Sequence, residues 1–328
     1  MRKVATAVRV LRALPRAHRA LPRTGAPLPR PRAALPRTGR RTGRVLAGAG
    51  TAALLALLPA CSGSSGRPGP PGEVMSTPPA TGWDRHPSSV AAVGDSITRG
   101  FDACSVLADC PAVSWSTGTE KDVHSLAWRL LGGKDVEDHA WNLAKSGARV
   151  EALPEQMKAA AKHRPALVTV LIGANDACRS TVDAMTPVAE YRADIEKALD
   201  TLHERAPDAR VYFSSIPDLK RLWELGRTSD LGKEVWKLGI CPSMLSDPDA
   251  LDKAATERRD KVEQRVNEYN KAVQEICAKD KLCRDDGGAA NATRFTAGQL
   301  SRWDWFHPSR AGQATLARIA YERITASG

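Results

Sequence analysis

The sequence predicts an α/β domain built on a central parallel sheet with helices packed against it. Three observations lead there. Short, continuously apolar runs end at glycine or polar turns, as at Val90–Val93 and Ala166–Ile172, the pattern of strands covered on both faces. Other stretches repeat apolar residues at helical spacing: Val188, Tyr191, Ile195, Leu199 and Leu202 in one, Val262, Val266, Tyr269, Val273 and Ile276 in another. The two kinds alternate along the chain, which is the order of βαβ units.

Val90–Val93 is the first strand, and His124–Leu131 is expected to be helical. Glu137–Leu143 reads as a second strand and Glu151–Lys162 as a helix. Ala166–Ile172 is the third strand, followed by an amphipathic helix over Pro187–Arg205 with proline in its first turn. Arg210–Ser215 is the fourth strand. A long helix spans about Asp249 to Ala278, and Ser309–Thr325 closes the chain as a helix. Leu219–Pro248, with Trp223 and Trp236, reads as an insertion. In sheets of this kind ligands sit beyond the carboxyl ends of the strands, so the residues after each strand are where chemistry is expected.

Charge distribution narrows the function. The net charge of +11 would suit a nucleic-acid partner, but 13 of the 48 Lys and Arg residues lie in residues 1–60, which hold no Asp or Glu. From Cys61 onward 35 basic residues face 37 acidic ones. The folded part therefore lacks the basic surface that nucleic-acid binding requires, and no nucleic-acid partner is expected. Residues 45–58 form an apolar run of 14 residues behind this basic segment, matching the core of a secretory signal. The run enters Leu58-Pro59-Ala60-Cys61, which resembles a bacterial lipobox. Residues 1–60 are thus expected to be leader and signal peptide, with Cys61 lipidated and anchoring the chain at a membrane surface; simple secretion is the alternative. Residues 61–87, rich in Gly, Ser and Pro, read as a linker, and residues 88–328 as the folded domain, expected to be a monomer.

Six cysteines remain beyond Cys61: Cys104, Cys110, Cys178, Cys241, Cys277 and Cys283. An even number in an exported chain reads as disulfides, with every pairing open in principle. Closeness in sequence favours Cys104–Cys110 and Cys277–Cys283, which leaves Cys178–Cys241. No CxxC or HExxH spacing points to a metal, and neither metal nor cofactor is expected.

The strand ends carry four blocks. Gly94-Asp95-Ser96 follows the first strand, where a serine on a tight turn presents its hydroxyl outward. Ser146-Gly147 follows the second, and Gly173-Ala174-Asn175-Asp176 the third. Near the C-terminus stands Asp304-Trp305-Phe306-His307-Pro308, where an Asp three residues before a His can hold its Nδ1 and aim Nε2 at the serine. Each block alone has a plain structural reading as a cap or turn. Together, at these strand ends and in this order, they point to a serine hydrolase.

The blocks GDSIT, NLAKSGA, IGAND and DWFHPS resemble those of the SGNH (GDSL) hydrolase superfamily, over roughly residues 88–326. SWSTG at 114–118, the Cys after the GANDA stretch and DWFHPS look like its phospholipase B-like branch. The resemblance implies a flavodoxin-like three-layer α/β/α sandwich and ester hydrolysis without metal. Ser96 then corresponds to the nucleophile, with Asp304 and His307 completing the triad. The Ser96 N–H, the Gly147 N–H and the Asn175 side chain correspond to the oxyanion hole. The expected function is an exported esterase or lipase acting on acyl esters, phospholipids among them. A carbohydrate O-acetyl esterase and a non-catalytic lipid- or glycan-binding lipoprotein are the alternatives. Trp115, Trp305 and Phe306 are candidates to line an acyl pocket, while Asp95 and Asp176 are expected to hold turns. Should Cys178–Cys241 form, Leu219–Pro248 would be tied to the Asn175 strand end as a lid or wall.

Overall fold

The computed structural model describes residues 83–133 and 135–326. The expected leader, Cys61 and most of the expected linker lie outside the described residues. Five parallel strands form one sheet: β1 (Val90–Gly94), β2 (Ala140–Asn142), β3 (Leu167–Leu171), β4 (Arg210–Phe213) and β5 (Cys283–Asp285), in the order β2-β1-β3-β4-β5. Every residue of β1 and β3 is buried, as in strands covered on both faces, and the one polar side chain, Thr169, shares a hydrogen bond with the Ser116 hydroxyl at 2.6 Å.

The main helices are α1 (Leu126–Leu130), α2 (Leu153–Ala161), α3 (Val188–His203), α4 (Leu219–Gly226), α5 (Asp230–Trp236), α6 (Lys253–Cys277) and α7 (Arg310–Thr325). Helix α2 packs on α3, α3 on α6, and α7 on α1. Right-handed crossovers send α1 to one face and α2, α3 and α6 to the other, because the chain steps from β1 outward to β2 and then back across the sheet. In α3, Tyr191, Ile195, Leu199 and Leu202 all face the core, and the Tyr191 ring stacks on Tyr269 of α6 at 4.2 Å. The reversal of direction between β1 and β3 is the switch point at which a doubly wound sheet opens a crevice.

Two expectations need correction. Glu137–Leu143 is not one strand: Val136–His139 forms a turn of helix, and only Ala140–Asn142 pairs with β1. As an edge strand β2 has one neighbour, and the polar Glu137-Asp138-His139 stretch finds no ladder to join. Strand β5 was not expected from the sequence, since its residues Cys283-Arg284-Asp285 carry no apolar run; it forms by pairing with β4 at the opposite edge.

The disulfides are Cys104–Cys110, Cys178–Cys241 and Cys277–Cys283. The second spans 63 residues and the others 6 each. Loop entropy makes the long one worth about 4 kcal/mol against about 2 for a short one. Among the described residues, no helix is long and apolar enough to cross a membrane.

Candidate active site

The turn after β1 begins at Gly94, whose φ is +135°. A Cβ there would lie 2.1 Å from the Leu171 carbonyl oxygen of β3, so only glycine allows the two strands to end this close together. Two buried glutamines from opposite helical layers clamp the turn. Gln156 of α2 accepts from the Gly94 N–H at 2.7 Å and donates to the Gly94 carbonyl at 3.0 Å. Gln313 of α7 donates to the Ile97 carbonyl at 2.8 Å and accepts from the Trp115 N–H at 2.8 Å. Asp95 is fully buried and accepts from the Ile97 N–H at 2.9 Å. Ser96 is thus presented by backbone held on both sides.

Opposite it stands the C-terminal block. The Ser96 hydroxyl and His307 Nε2 are 2.8 Å apart, and His307 Nδ1 lies 2.5 Å from Asp304 Oδ2. With the proton on Nδ1, the imidazole donates to Asp304 and accepts from the serine hydroxyl. The second Asp304 oxygen accepts from the Phe306 and His307 backbone N–H groups, both at 3.0 Å. Trp236 of α5 adds a bond from its indole N–H to the Asp304 carbonyl at 2.8 Å.

Burial works against the charge on both members of this pair, yet the other effects win. The Asp304 carboxyl is held below its usual range by His307 and the two backbone donors. The His307 imidazole is raised above its ordinary value by Asp304 first, with Asp95 and Asp102 adding to it. Burial also pushes Asp95 up to about 7, and one of its oxygens has no hydrogen-bond partner among the described residues.

A cavity of about 270 Å³ opens at this point, lined by Ser96, His307, Gly147, Asn175 and the apolar Phe101, Ile240 and Phe306, among others. Gly147 has φ +79° with open space where a Cβ would stand, so its backbone faces the cavity unshielded. Neither the Ser96 nor the Gly147 N–H donates to a protein acceptor among the described residues. Asn175 donates one amide hydrogen to the Ala148 carbonyl at 3.0 Å, which orients the group and leaves its other N–H for the cavity. Three donors and one serine hydroxyl therefore border the same small space.

The structure brings Ser96, Gly147, Asn175, Asp304 and His307 together from four separate stretches of sequence. Asp95 and Asp176 hold turns as expected; Asp176 accepts from Val150 N–H at 3.0 Å and from the Thr186 hydroxyl at 2.8 Å. Of the aromatic candidates only Phe306 lines the cavity. Trp115 is fully buried in the core, its indole N–H bonded to Thr98 at 3.2 Å. Trp305 packs against Gly226 and Gly232 of the α4 and α5 helices and borders a different cavity. Neither Trp115 nor Trp305 reaches the cavity that Ser96 and His307 line.

Disulfide Cys178–Cys241 carries the chain of the insertion to the cavity, where Gly239, Ile240 and Cys241 form one wall. The insertion's helices begin at ordinary caps, Asp218 accepting from Arg221 N–H and Ser229 from Gly232 N–H, signals present in the sequence that could have placed them. Sequence reasoning also missed Phe101, whose ring centroid lies 5.0 Å from that of His307, and Asp102. One acidic grouping among the described residues has the spacing to hold a cation: Asp102, Asp304 and His307. Two of its three members are already bonded to each other.

The profile of the GDSL-like lipase/acylhydrolase family matches residues 90–320, which include all four blocks. The chain belongs to this family. It is therefore a hydrolase acting on esters. Among solved structures the chain is similar to TesA, at 14% identity over 72% of this chain and 98% of that one, with a TM-score of 0.43. It is similar to an extracellular lipase from Streptomyces rimosus, at 18% identity over 71% and 97%, TM-score 0.41. A third is a Clostridium thermocellum family 3 carbohydrate esterase, at 14% identity over 72% and 94%, TM-score 0.40. No curated protein matches the sequence.

Proposed function

We propose that this GDSL-family protein is an exported serine esterase or lipase that cleaves carboxylic acyl esters through Ser96, His307 and Asp304. The observation that carries the reading is the 2.8 Å contact between the Ser96 hydroxyl and His307 Nε2, at the mouth of a cavity with apolar walls. His307 takes the Ser96 proton as the serine oxygen attacks the ester carbonyl. Asp304 stabilises the imidazolium that forms. The negative charge growing on the carbonyl oxygen is met by the Ser96 and Gly147 N–H groups and the Asn175 amide, fixed before the substrate arrives. The imidazolium returns its proton to the departing alcohol. Water deprotonated by His307 then attacks the acyl-serine, freeing the acid and restoring the serine.

Export is supported by three disulfides that engage every cysteine beyond Cys61, an arrangement that persists in oxidising compartments. In this reading residues 1–60 direct export, Cys61 carries the lipid anchor, and residues 61–87 tether the domain of residues 88–328. Phe101, Ile240 and Phe306 favour an acyl group of more than two carbons, and phospholipids are the natural class to test after simple esters.

The test is hydrolysis of p-nitrophenyl esters from acetate to palmitate by the disulfide-bonded protein, with Ser96→Ala alongside. Turnover best on medium or long chains and lost in the variant supports the reading. Turnover on acetate alone replaces it with a carbohydrate O-acetyl esterase. Absence of turnover together with failure to label with a fluorophosphonate overturns it in favour of a binding lipoprotein.

A further inference from the structure

Asp102 lies beside the Asp304–His307 pair, two residues before the loop closed by Cys104–Cys110 and bonded to it. It is 3% exposed, and its backbone adopts the left-handed conformation at φ +55°. Three bonds hold it there. Its N–H donates to the Ala108 carbonyl at 3.0 Å, the Leu107 N–H donates to one carboxyl oxygen, and its carbonyl accepts from the Ser301 hydroxyl at 2.7 Å. A non-glycine residue kept in this conformation is held by its surroundings at a cost, and such positions cluster at functional sites. Beyond these bonds, the Asp102 carboxyl faces that of Asp304. One ligand atom from each of Asp102, Asp304 and His307 fits within 4.8 Å of the others.

Two buried carboxyl groups this close do not both ionise freely. Asp304 has the stronger claim on the negative charge, since His307 and two backbone N–H groups stabilise it. The pair's shared proton therefore belongs on Asp102. We propose that Asp102 is a positioning residue of the triad, a second carboxyl that donates a hydrogen bond to Asp304 while protonated and, once ionised, raises the basicity of His307. The disulfide loop then acts as the mount for a fourth member of the relay. This inference rests on the proposed triad and extends it.

Burial, and after it the Asp304 charge, push the Asp102 carboxyl up to about 6, so its proton leaves in the range where His307 also titrates. The charged groups around it are few. Asp304 and His307 face it directly, and Asp95 acts on His307 from the β1 turn. Arg302 and Arg310 line, with Asp102, the separate cavity that Trp305 borders, the first stacked on Trp303 and the second paired with Asp122.

The test compares wild type, Asp102→Asn, Asp102→Ala and Ser96→Ala, all made from the full chain and oxidised, in kcat and kcat/KM from pH 5 to 9. Asparagine keeps an acceptor for the Leu107 N–H and a donor for Asp304 but carries no charge. Its acid limb in kcat/KM is expected to move to lower pH, with KM unchanged, because His307 loses one neighbouring negative charge. Asp102→Ala also loses the acceptor for the Leu107 N–H, so the backing of Asp304 loosens, and kcat is expected to fall about tenfold or more, again without a change in KM. An Asp102→Asn limb that coincides with wild type overturns the proposal, as does an effect confined to KM. If Asp102→Ala fails to fold, the Asp102→Asn profile alone decides. Ser96→Ala separates the two levels: activity surviving in it defeats the triad itself, whereas its loss beside an unmoved Asp102→Asn profile defeats only the role of Asp102.

Discussion

At the end of β1 and at the end of β5 the chain leaves the sheet through a buried aspartate, Asp95 in one case and Asp286 in the other. Asp286 accepts from the Gly288 N–H on one oxygen and from the Ser215 N–H, Ser215 hydroxyl and Ala290 N–H on the other, at 2.8–3.0 Å. It ties β4, β5 and the following turn together, and no lone pair direction is wasted. Asp95 has one backbone donor on one oxygen, and nothing on the other. Burial pushes its carboxyl up to about 7, with Asp176 adding to the rise and His307 opposing it. A fully bonded buried carboxylate is structural cement. A partly bonded one beside a serine–histidine contact marks the end of the sheet where stability is given up, the end to which the proposed chemistry is assigned.

The comparison predicts that damage at the β1 end removes turnover while the fold survives, and damage at the β5 end does the reverse. The largest effect is expected from Ser96→Ala, a fall in kcat on the order of 10⁶ with an unchanged melting temperature, measured by single-turnover assay and calorimetry. Asp304→Asn keeps an acceptor for the backbone donors but favours the wrong imidazole tautomer, and kcat is expected to drop about 10⁴-fold. A drop below tenfold would mean that Asp304 only props the loop. Asn175→Ala removes one of the proposed oxyanion donors, for an expected loss of about 10²–10³ in kcat with little change in KM.

Asp286→Ala should behave differently, lowering stability by about 2–3 kcal/mol in urea unfolding while kcat per folded molecule stays at the wild-type value. Loss of turnover in the folded fraction would erase the distinction between the two ends. The smallest effect is a matter of pH. The folded-state value of Asp95 lies above its unfolded value of 3.8, so the folded state holds the proton longer. Its stability contribution is complete at low pH and lost as pH rises from about 4 through about 7. Asp95→Asn removes that loss, and its melting temperature relative to wild type should climb between pH 4.5 and 8. Parallel curves would show that Asp95 is ionised and satisfied after all.

Much of this contrast was legible in the residues. Strands β1 and β3 were readable because both of their faces are covered, which forces unbroken apolar runs. Helices α3 and α6 were readable because one stripe of each is buried. Strands β2 and β5 were not readable at their true extent: edge strands of three residues are set by the neighbour they pair with. Ser96, Gly147, Asn175, Asp304 and His307 were legible because each stands in a short block whose local geometry its own neighbours dictate. The glutamine clamps, the Gly239–Cys241 wall and the fate of Trp115 had no such local cause.

By itself the sequence determined the α/β class, the place of its central strands along the chain and the polar residues Ser96, Gly147, Asn175 and His307 that border the cavity, since these depend on periodicity and on turns a few residues long. Only the tertiary structure decided which side chains reach one another across the switch point. Asp102 comes within 4.8 Å of Asp304, and Gln156 and Gln313 grip the same turn from opposite layers, because helices and loops remote in sequence are packed to a common density around the sheet. Contacts of that kind depend on distances between elements, which no local pattern encodes.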